Sequence, residues 1–431
     1  MGLTAGAVVT LEVERPVAGG RMLARHEGQI VLLSGAIPGE RVVARVERAA
    51  KSVAHAETIE VLTPSADRRA GADGRCGGRD YAHVAYARQQ ALKAEVIADA
   101  FRRVGRLPLS EVPAVVASPE HGYRLRSRLH ASNGRLGFLR EGSHDLCAAG
   151  PTGQLSAGTL EWLLAAERHL TAGAAGGLAE RIVAVELAED LPGLDRAAHV
   201  EMRGAVDLSA LAPLAEGLVG LSAQGSLSND VVTIAGTPEV TDRLHIRSGD
   251  AKPALTLTRN VRSFFQGNRF LLEWLVQHVV TLIAAAPIVD LYAGVGLFGL
   301  AAAAAGHEAI TLVEGDRTSG ADLDANARAF APRVRVVRQS VEAALAGLQG
   351  LRFAGTCIVD PPRTGLSPAA RDGVLRMKPA RLIYVSCDVA TLARDSRALV
   401  DAGYELAAIT GVDLFPSTAH VETVAVLDRV G

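Results

Sequence analysis

The pattern of apolar and polar positions in residues 1–62 predicts a set of short β-strands. Five short runs are rich in apolar residues, and pairs such as Gly19-Gly20 and Pro38-Gly39 stand between the runs. Short apolar runs bounded by turn residues are typical of strands, and Gly and Pro mark turns. Five strands in about sixty residues predict a small OB-like β-barrel, a shape that often binds oligonucleotides. The predicted strands are 8–13, 21–25, 29–33, 41–46 and 57–62.

Residues 63–260 have a mixed pattern, which predicts a central α+β domain. Residues 86–103 have the spacing of a helix, and residues 123–129 alternate strictly, as a half-buried strand does. One face of that strand carries Arg124, Arg126 and Arg128. No acidic residue separates these arginines along the chain, so we expect the face to follow nucleic-acid phosphates. A solvated strand face is the alternative.

Residues 261–431 alternate regularly between short apolar runs and helical patterns, which predicts a doubly wound parallel sheet of the α/β class. The last two strands, 405–410 and 421–427, are separated by about ten residues without a helical pattern. They are therefore expected to form an antiparallel pair. The other predicted strands are 288–291, 310–313, 334–337, 356–359 and 382–385, and the predicted helices are 268–284, 297–305, 319–330 and one that starts at Thr391.

Composition and charge exclude several classes of protein. The chain has 431 residues, of which 48% are hydrophobic and 21% charged, so sizeable cores are expected. It has no apolar run of about 18 residues and no secretory signal pattern at its start, which predicts a cytoplasmic protein that does not span a membrane. Its four cysteines are too few for a disulfide framework.

The charge is unevenly distributed. The net charge of −2 argues against a general polyanion binder. Residues 61–140, however, hold 14 Lys and Arg against 7 Asp and Glu, a local excess of +7. A basic central region beside a small barrel favours nucleic acid as the partner.

Four predicted strands of the α/β domain end in a residue with a chemically active side chain, namely Asp290, Glu314, Asp360 and Cys387. Ligands of open α/β sheets bind outside the carboxyl ends of the strands. A single acid after a strand is often only a helix cap. Four such groups together predict a site.

A glycine-rich turn follows Asp290, with glycines at Gly294, Gly296 and Gly299. Glu314 lies twenty residues beyond Gly294, a spacing that suits a carboxylate accepting from ribose hydroxyls. The glycines formally match G-x-G-x-x-G, so a dinucleotide site of an NAD-dependent oxidoreductase is the runner-up. Asp290 would repel a pyrophosphate, which favours a cationic, aminoacid-bearing cofactor such as S-adenosylmethionine.

Three further positions carry candidate chemistry. The stiff turn Asp360-Pro361-Pro362-Arg363 offers a carboxylate that can accept from a substrate N–H. Cys387, before a helix, is the candidate nucleophile, because a helix N-terminus lowers the pKa of a nearby thiol. Glu422 opens an otherwise apolar strand and is the candidate general base. His420 competes with it.

Several segments together resemble the S-adenosylmethionine-dependent RNA uridine-5-methyltransferases of the TrmA/RlmD type. They are SFFQGN (263–268), DLYAGVGLFGL (290–300), VDPPRTGL (359–366), YVSCDVATLARD (384–395) and DLFPSTAHVETVAVL (413–427). GQIVLLSGAIPGERV (28–42) is similar to the TRAM barrel of that family, and YRLRSRLH (123–130) and GFLREGSHDLC (137–147) to its central RNA-binding domain. The resemblance implies a class I methyltransferase fold and domains at 1–62, 63–260 and 261–431.

The resemblance also implies the roles of individual residues. Cys387 is the nucleophile that adds to C6 of a uracil, and Glu422 is the base that removes the C5 proton. The cofactor-binding positions are Gln266, Tyr292, Gly294, Gly296, Glu314 and Asp360. The substrate-binding positions are Asp360 and Arg363, together with Arg124, Arg126 and Arg128 from the strand pattern.

One departure from the family concerns metal. Many relatives hold a 4Fe–4S cluster through four cysteines, two of them in a CGGC-like element. Here that element is Cys76-Gly77-Gly78-Arg79, and only Cys76 and Cys147 stand at matching places. We therefore expect no cluster and no other metal.

The expected partner is RNA, either transfer RNA or, from the TRAM-like module and the three-part layout, ribosomal RNA. The chain is expected to act as a monomer. Besides the oxidoreductase, a non-catalytic RNA-binding protein on a methyltransferase fold is a second alternative. The presence of both Cys387 and Glu422 argues against it.

Overall fold

The computed structural model describes residues 2–71, 73–172, 177–204, 208–225, 230–249, 251, 253–347 and 353–430. The chain forms two compact units that do not follow chain order. The first comprises Met1–Ser118, Cys387–Arg397 and Thr410–Thr423, and the second comprises Pro119–Ser386, Ala398–Ile409 and Val424–Gly431. No helix in the described residues is both long and apolar enough to cross a membrane.

The first unit contains the predicted barrel. Its strands are β1 (Val8–Pro16), β2 (Met22–His26), β3 (Gln29–Ser34), β4 (Arg41–Ala49) and β5 (Val53–Thr63), and they close in the order β1-β2-β3-β5-β4. Alternate residues such as Leu11, Val31 and Val42 point into a fully buried core. Closure leaves no strand edge exposed, which explains how so short a sheet stands alone.

A helix packs against this barrel. Helix α1 (Tyr86–Ala100) follows the barrel, and its residue Leu92 joins Tyr81 and Val84 in the barrel core. The predicted helix at 86–103 is confirmed, although its last residues form a wider turn at Phe101–Gly105. The short strand β6 (Val115–Val116) completes the N-terminal part of the unit.

The second unit begins with a mixed sheet of seven strands in the order β13-β12-β11-β10-β7-β8-β9. Its strands are β7 (Arg126–Ser132), β8 (Arg135–Leu139), β9 (Leu146–Ala148), β10 (Ile182–Glu189), β11 (Arg196–Met202), β12 (Gly220–Gly225) and β13 (Val231–Gly236). Helices α2 (Ala157–Thr171) and α3 (Leu178–Arg181) lie between them in the chain, and β14 (Glu239–His245) pairs separately with β15 (Ala254–Asn260). The strand predicted at 123–129 begins three residues later than expected.

The α/β sheet has the order β18-β17-β16-β19-β20-β22-β21-β6. Its strands are β16 (Ile288–Leu291), β17 (Ile310–Val313), β18 (Val334–Val337), β19 (Thr356–Val359), β20 (Arg381–Ser386), β21 (Tyr404–Val412) and β22 (Glu422–Arg429). The strands from β16 to β20 pair in parallel. β16 and β19 are buried along their whole length, which explains their continuous apolar sequence.

Six helices accompany this sheet among the described residues. They are α4 (Leu272–Leu282), α5 (Leu297–Ala304), α6 (Arg317–Ala327), α7 (Val341–Gly347), α8 (Pro368–Met377) and α9 (Val389–Asp401). The last two strands, β21 and β22, are neighbours, and no helix lies between them in the chain. A short connection between neighbouring strands makes them antiparallel, as expected. The carboxyl ends of β16, β17 and β19 carry the candidate cofactor residues.

Candidate active site

The turn after β16 needs its glycines for two different reasons. Gly294 and Gly296 have φ of +56° and +101°, in the left-handed region that favours glycine. A Cβ on Gly299 would come within 2.1 Å of Leu312, so this glycine permits close packing. A Cβ on Gly294 would meet nothing within 4 Å. The backbone at Gly294 therefore borders open space, as expected where a ligand approaches.

Glu314 lies against this turn, as the spacing predicts. Its Oε2 accepts from the backbone N–H of Gly294 over 2.8 Å, and its Oε1 accepts from that of Asp316 over 2.6 Å. Asp316 in turn caps helix α6. The carboxylate is therefore fixed at the end of β17 while the remaining lone pairs of both oxygens can accept from a ligand.

Asp290 is fully buried and anchors the first turn of helix α5. Its Oδ2 accepts from the backbone N–H of Gly299 over 2.8 Å, while its Oδ1 has no hydrogen-bond partner. Burial raises the pKa of Asp290 to about 8, and the neighbouring charges of Asp360 and Glu314 contribute to this rise. An orphaned carboxylate oxygen among other carboxylates is suited to a nearby cation.

Asp360 follows β19 and pairs with Gln266. Gln266 Nε2 donates to Asp360 Oδ2 over 3.0 Å, and the Gln266 side chain is buried. Burial raises the pKa of Asp360 to about 7, although the bond from Gln266 lowers it in part. These two predicted site residues, 94 positions apart, are thus in direct contact.

A pocket brings the predicted cofactor residues together. It is lined by Phe264, Phe265, Gln266, Tyr292, Ala293, Gly294, Val295, Leu297, Phe298 and Asp360. Its wall combines aromatic and apolar surface with a carboxylate, and Asp290 and Glu314 bond to the backbone of the same turn. This combination of apolar surface and carboxylates fits a ligand with an aromatic ring, hydroxyls and positive charge. S-adenosylmethionine has all three, whereas the pyrophosphate of a dinucleotide has the wrong sign.

The segment before Gln266 is supported by residues that the sequence did not single out. The guanidinium of Arg259 is fully buried, stacks 4.2 Å from the Phe265 ring and donates to Asp242 over 2.8 Å. Ser263 donates to Asp322 over 2.6 Å. Phe264 is 61% exposed, an unusual state for an aromatic side chain beside a pocket. The only sequence signal for these roles is the motif at 263–268 itself.

Cys387 directly follows β20 and belongs to the first unit. Its thiol is reduced and half-buried. The next residue, Asp388, caps helix α9, because its Oδ1 accepts from the backbone N–H of Thr391 over 2.8 Å. Cys357, by contrast, is fully buried in β19, and burial raises the pKa of its thiol far above the usual value. Of these two thiols, only Cys387 is accessible to a substrate.

Glu422 is the first residue of β22 and is 4% exposed. The loop before it carries His420, whose imidazole is exposed and meets the Phe415 ring edge-on at 6.4 Å between centroids. Cys387 and Glu422 belong to the same compact unit and lie at the ends of the neighbouring strands β20 and β22. The two candidate groups thus belong to neighbouring strands and to one compact unit.

Neighbouring strands place acidic side chains beside two of the three arginines. Strand β10 places Glu186 directly opposite Arg128, and Glu186 pairs with both Arg126 and Arg128. Arg128 also pairs with Glu201 on the next strand. The pattern within one strand could not reveal these pairs because the carboxylates lie on neighbouring strands, and the role of the three arginines in RNA binding stays a prediction.

Arg124 is held differently. Its Nε donates to Gln154 over 2.7 Å, and its guanidinium lies 5.3 Å from the centre of the Phe138 ring. Arg363, in the turn after Asp360, has an exposed side chain.

Among the residues that the structure describes, no group of three or more His, Cys, Asp or Glu side chains is arranged to hold a metal ion. Cys76 and Cys147 are both buried.

Comparisons with known proteins agree with this geometry. Residues 240–430 match the tRNA (Uracil-5-)-methyltransferase family and residues 2–59 match the TRAM domain. The 23S rRNA (uracil(1939)-C(5))-methyltransferase RlmD of Pseudomonas putida is 30% identical over 97% of this chain and 93% of its own length. The chain belongs to the RNA uracil-5-methyltransferase family.

Two further relatives extend over nearly the whole chain. An uncharacterized RNA methyltransferase of Thermosynechococcus vestitus is 29% identical over 98% of both chains. The crystal structure of the Pyrococcus abyssi tRNA (uracil-54, C5)-methyltransferase, a complex with S-adenosyl-L-homocysteine, superposes with a TM-score of 0.72 at 23% identity. It covers 97% of this chain and 99% of its own, so the fold is shared throughout.

Membership of this RNA uracil-5-methyltransferase family confirms several expectations. The chain is an S-adenosylmethionine-dependent RNA methyltransferase with a class I methyltransferase fold and an N-terminal TRAM barrel. The expected cofactor is confirmed, and the interpretation as an NAD-dependent oxidoreductase is wrong. The predicted boundaries at residues 62 and 260 stay predictions.

Proposed function

We propose that this enzyme methylates C5 of a uridine in ribosomal RNA through a covalent adduct between Cys387 and C6 of the uracil. One observation carries the proposal. A reduced thiol follows β20, and a buried carboxylate opens the neighbouring strand β22 within the same compact unit. A nucleophile beside a base is the pair that addition to a pyrimidine and later elimination require.

The thiol is needed because C5 of uracil is a poor nucleophile. When the thiolate of Cys387 adds to C6, a sulfur–carbon bond forms and the electrons of the C5=C6 bond move onto the C4 carbonyl oxygen. The resulting enolate makes C5 nucleophilic enough to accept a methyl group. No metal is required for this activation.

The base is needed to complete the reaction. After methylation, C5 still carries its proton, and Glu422 removes it. The electrons of the C5–H bond reform the C5=C6 bond and expel the Cys387 thiolate, which regenerates the enzyme. Glu422 is 4% exposed, whereas the His420 side chain is exposed. A base that acts on an enclosed adduct must be shielded from water, and of the two side chains only Glu422 is buried, so Glu422 is the better candidate.

The cofactor residues bind and orient the methyl donor. Bound S-adenosylmethionine supplies an electrophilic methyl group. Gly294 leaves room for it, Glu314 accepts from its hydroxyls, and Tyr292 and Gly296 shape the turn. Asp360, fixed by Gln266, accepts from a ligand N–H and attracts positive charge.

The target base must leave its stack to be reached. We assign ribosomal RNA because the RlmD relative is 30% identical along nearly its whole length. The tRNA enzyme of Pyrococcus abyssi has the same fold at 23% identity, so transfer RNA is the second candidate. Arg363 and the TRAM barrel are the proposed contacts to RNA outside the target base.

The decisive experiment compares three variants in RNA methylation and on a denaturing gel. Cys387→Ala should abolish both methyl transfer and the covalent protein–RNA adduct. Glu422→Gln should form the adduct and fail to release it. Cys357→Ala, which removes the buried thiol, is the control and should keep methylating. Methylation by Cys387→Ala at the wild-type rate would disprove the covalent route.

The RNA target is tested separately. We expect the enzyme to add 5-methyluridine to 23S ribosomal RNA isolated from cells that lack it, and not to transfer RNA from the same cells. Mapping of 5-methyluridine by mass spectrometry identifies the position. Methylation of transfer RNA alone would overturn the assignment to ribosomal RNA while leaving the reaction intact.

A further inference from the structure

The loop that leads to Glu422 is held by a buried ion pair from the N-terminal part of the chain. Lys93 on helix α1 and Asp413 are both 0% exposed and form an ion pair. The Lys93 ammonium also donates to the backbone carbonyl of Phe415 over 3.1 Å. One side chain thus fixes two points of the loop, although 320 residues separate Lys93 from Asp413.

A second buried side chain of helix α1 holds the middle of this loop. Gln89 accepts from the backbone N–H of Ser417 over 2.8 Å, and its amide donates to the carbonyls of Tyr81 and Val84 over 3.1 and 2.9 Å. The backbone N–H of Tyr81 donates to the Ser417 carbonyl over 2.8 Å. Ser417 has φ of +64°, a conformation that these two bonds stabilise.

The last contact lies three residues before Glu422. Asp80 accepts from the backbone N–H of Ala419 over 2.8 Å. Gly20 of the barrel packs closely here, since a Cβ at this position would come within 2.7 Å of Asp80 and 3.1 Å of Ala419. The loop is therefore held at successive points along its length by the barrel, by the segment after it and by helix α1.

The chemistry of the ion pair indicates a purpose other than stability. Burial lowers the pKa of Lys93, and Asp413 raises it only in part. Buried ion pairs are often no more stabilising than apolar side chains of similar size. A buried ion pair can, however, hold a backbone segment in one conformation where apolar side chains would permit several. The segment that it fixes ends at the proposed base.

We propose that Lys93 and Gln89 are positioning residues that hold Glu422 where it removes the C5 proton. This inference rests on the proposed function. It makes the N-terminal part of the chain a structural support of the chemical step as well as a module for binding RNA. The step affected is the release of the covalent adduct, because Glu422 acts only after Cys387 has added and the methyl group has been transferred.

The test resolves formation of the adduct from its release. Purified Lys93→Met is mixed with RNA and S-adenosylmethionine, and the covalent adduct and the free methylated RNA are followed in time. We expect the first methyl transfer at the wild-type rate, accumulation of methylated adduct, and turnover reduced roughly ten- to hundredfold. Arg102→Gln removes an exposed ion pair just beyond the same helix and should behave as wild type.

Glu422→Gln in the same experiment separates the two proposals. If Glu422→Gln accumulates adduct and Lys93→Met loses adduct formation and turnover equally, Lys93 has a general structural role and the inference is wrong. If Glu422→Gln accumulates no adduct, the assignment of the base fails and this inference fails with it. Gln89→Ala keeps the Lys93–Asp413 ion pair intact and leaves no buried charge without its partner, so it provides the test if Lys93→Met does not fold. It should accumulate adduct too, and wild-type turnover would overturn the inference.

Discussion

Gln266 donates a hydrogen bond to Asp360 over 3.0 Å at the edge of the cofactor pocket. The pair joins the motif at 263–268 to the turn after β19, and it leaves a carboxylate with a pKa of about 7 facing a site for a cationic cofactor. Burial thus disfavours the ionised form of Asp360, whereas a positive ligand favours it.

The first prediction concerns the pH dependence of cofactor affinity. A positive ligand favours ionised Asp360, so binding releases protons and tightens as pH rises through about 7. We expect the affinity for S-adenosylmethionine to increase roughly tenfold between pH 6 and 8. Calorimetry at a series of pH values measures this. Asp360→Asn should bind more weakly with a flatter profile, and a wild-type affinity independent of pH would contradict the prediction.

The second prediction contrasts two glycines of the same turn. Gly299→Ala places a methyl group 2.1 Å from Leu312 in the core, so we expect a loss of about 1–3 kcal/mol in the free energy of unfolding. Gly294→Ala meets no neighbour but keeps a φ of +56°, which costs about 1–2 kcal/mol and directs a methyl group toward the pocket. Gly294→Ala should therefore lose more cofactor affinity than Gly299→Ala. Thermal unfolding measures the stability of both variants, and calorimetry measures their affinity for S-adenosylmethionine. A weaker affinity in Gly299→Ala than in Gly294→Ala would contradict the proposed place of Gly294 beside the cofactor.

The third prediction concerns Arg128. Because Glu186 and Glu201 already neutralise this side chain, Arg128→Gln should change RNA affinity little and leave its salt dependence unchanged. Arg363→Gln is the comparison. If Arg363 contacts a phosphate, its loss should reduce the slope of log affinity against log salt by roughly one. A reduced slope for Arg128→Gln would instead indicate that the strand face with Arg124, Arg126 and Arg128 contacts RNA.

The fourth prediction concerns acid stability of the barrel. Glu40 is 1% exposed and accepts from Arg68 and from the backbone N–H groups of Ile37 and Ser65. Burial raises its pKa, but these partners together lower it more, so the pKa is below its usual value. The carboxylate therefore stabilises the fold above its unfolded pKa and loses this contribution as pH falls through the folded value.

Glu40→Gln should cost about 1–3 kcal/mol at pH 7, because the Arg68 guanidinium is left without a counter-charge. The difference in the free energy of unfolding between Glu40→Gln and wild type should become smaller below pH 4. Urea unfolding at pH 7 and below pH 4 measures this difference. Glu60→Gln, an exposed residue on β5, should match wild type at both. A difference that does not depend on pH would show that the charge of Glu40 is unimportant.

Much of the α/β sheet could be predicted from the sequence because its central strands are buried on both faces. Strands β16, β17, β18 and β19 have the predicted bounds, and short runs of Val, Ile and Leu between turns are typical of buried parallel strands such as β16 and β19. Helix α8 was missed, although Ser367 before Pro368 is a typical start signal and indeed caps it. Its buried positions include Ala370 and Gly373, whose small side chains give only a weak apolar period.

The candidate site was predictable where the motif is local and unpredictable where the partner is remote. Gly294 and Glu314 are twenty residues apart in a repeating strand–helix pattern, so their contact follows from spacing. The partner of Arg128 depends on the register between β7 and β10, which no pattern within one strand reveals. For the same reason the pairing of Lys93 with Asp413 could be found only in the folded chain.

The division of the chain has a consequence for recombination between relatives. Segments 387–397 and 410–423 group with the N-terminal residues, while the strands around them group with the rest. A chimera that changes parent at residue 118 or 260 would take Lys93 from one parent and Asp413 from the other. The C-terminal part of such an enzyme therefore cannot be exchanged independently of the N-terminal part. Crossovers are expected to give active enzymes only between parents that share Lys93 and Asp413.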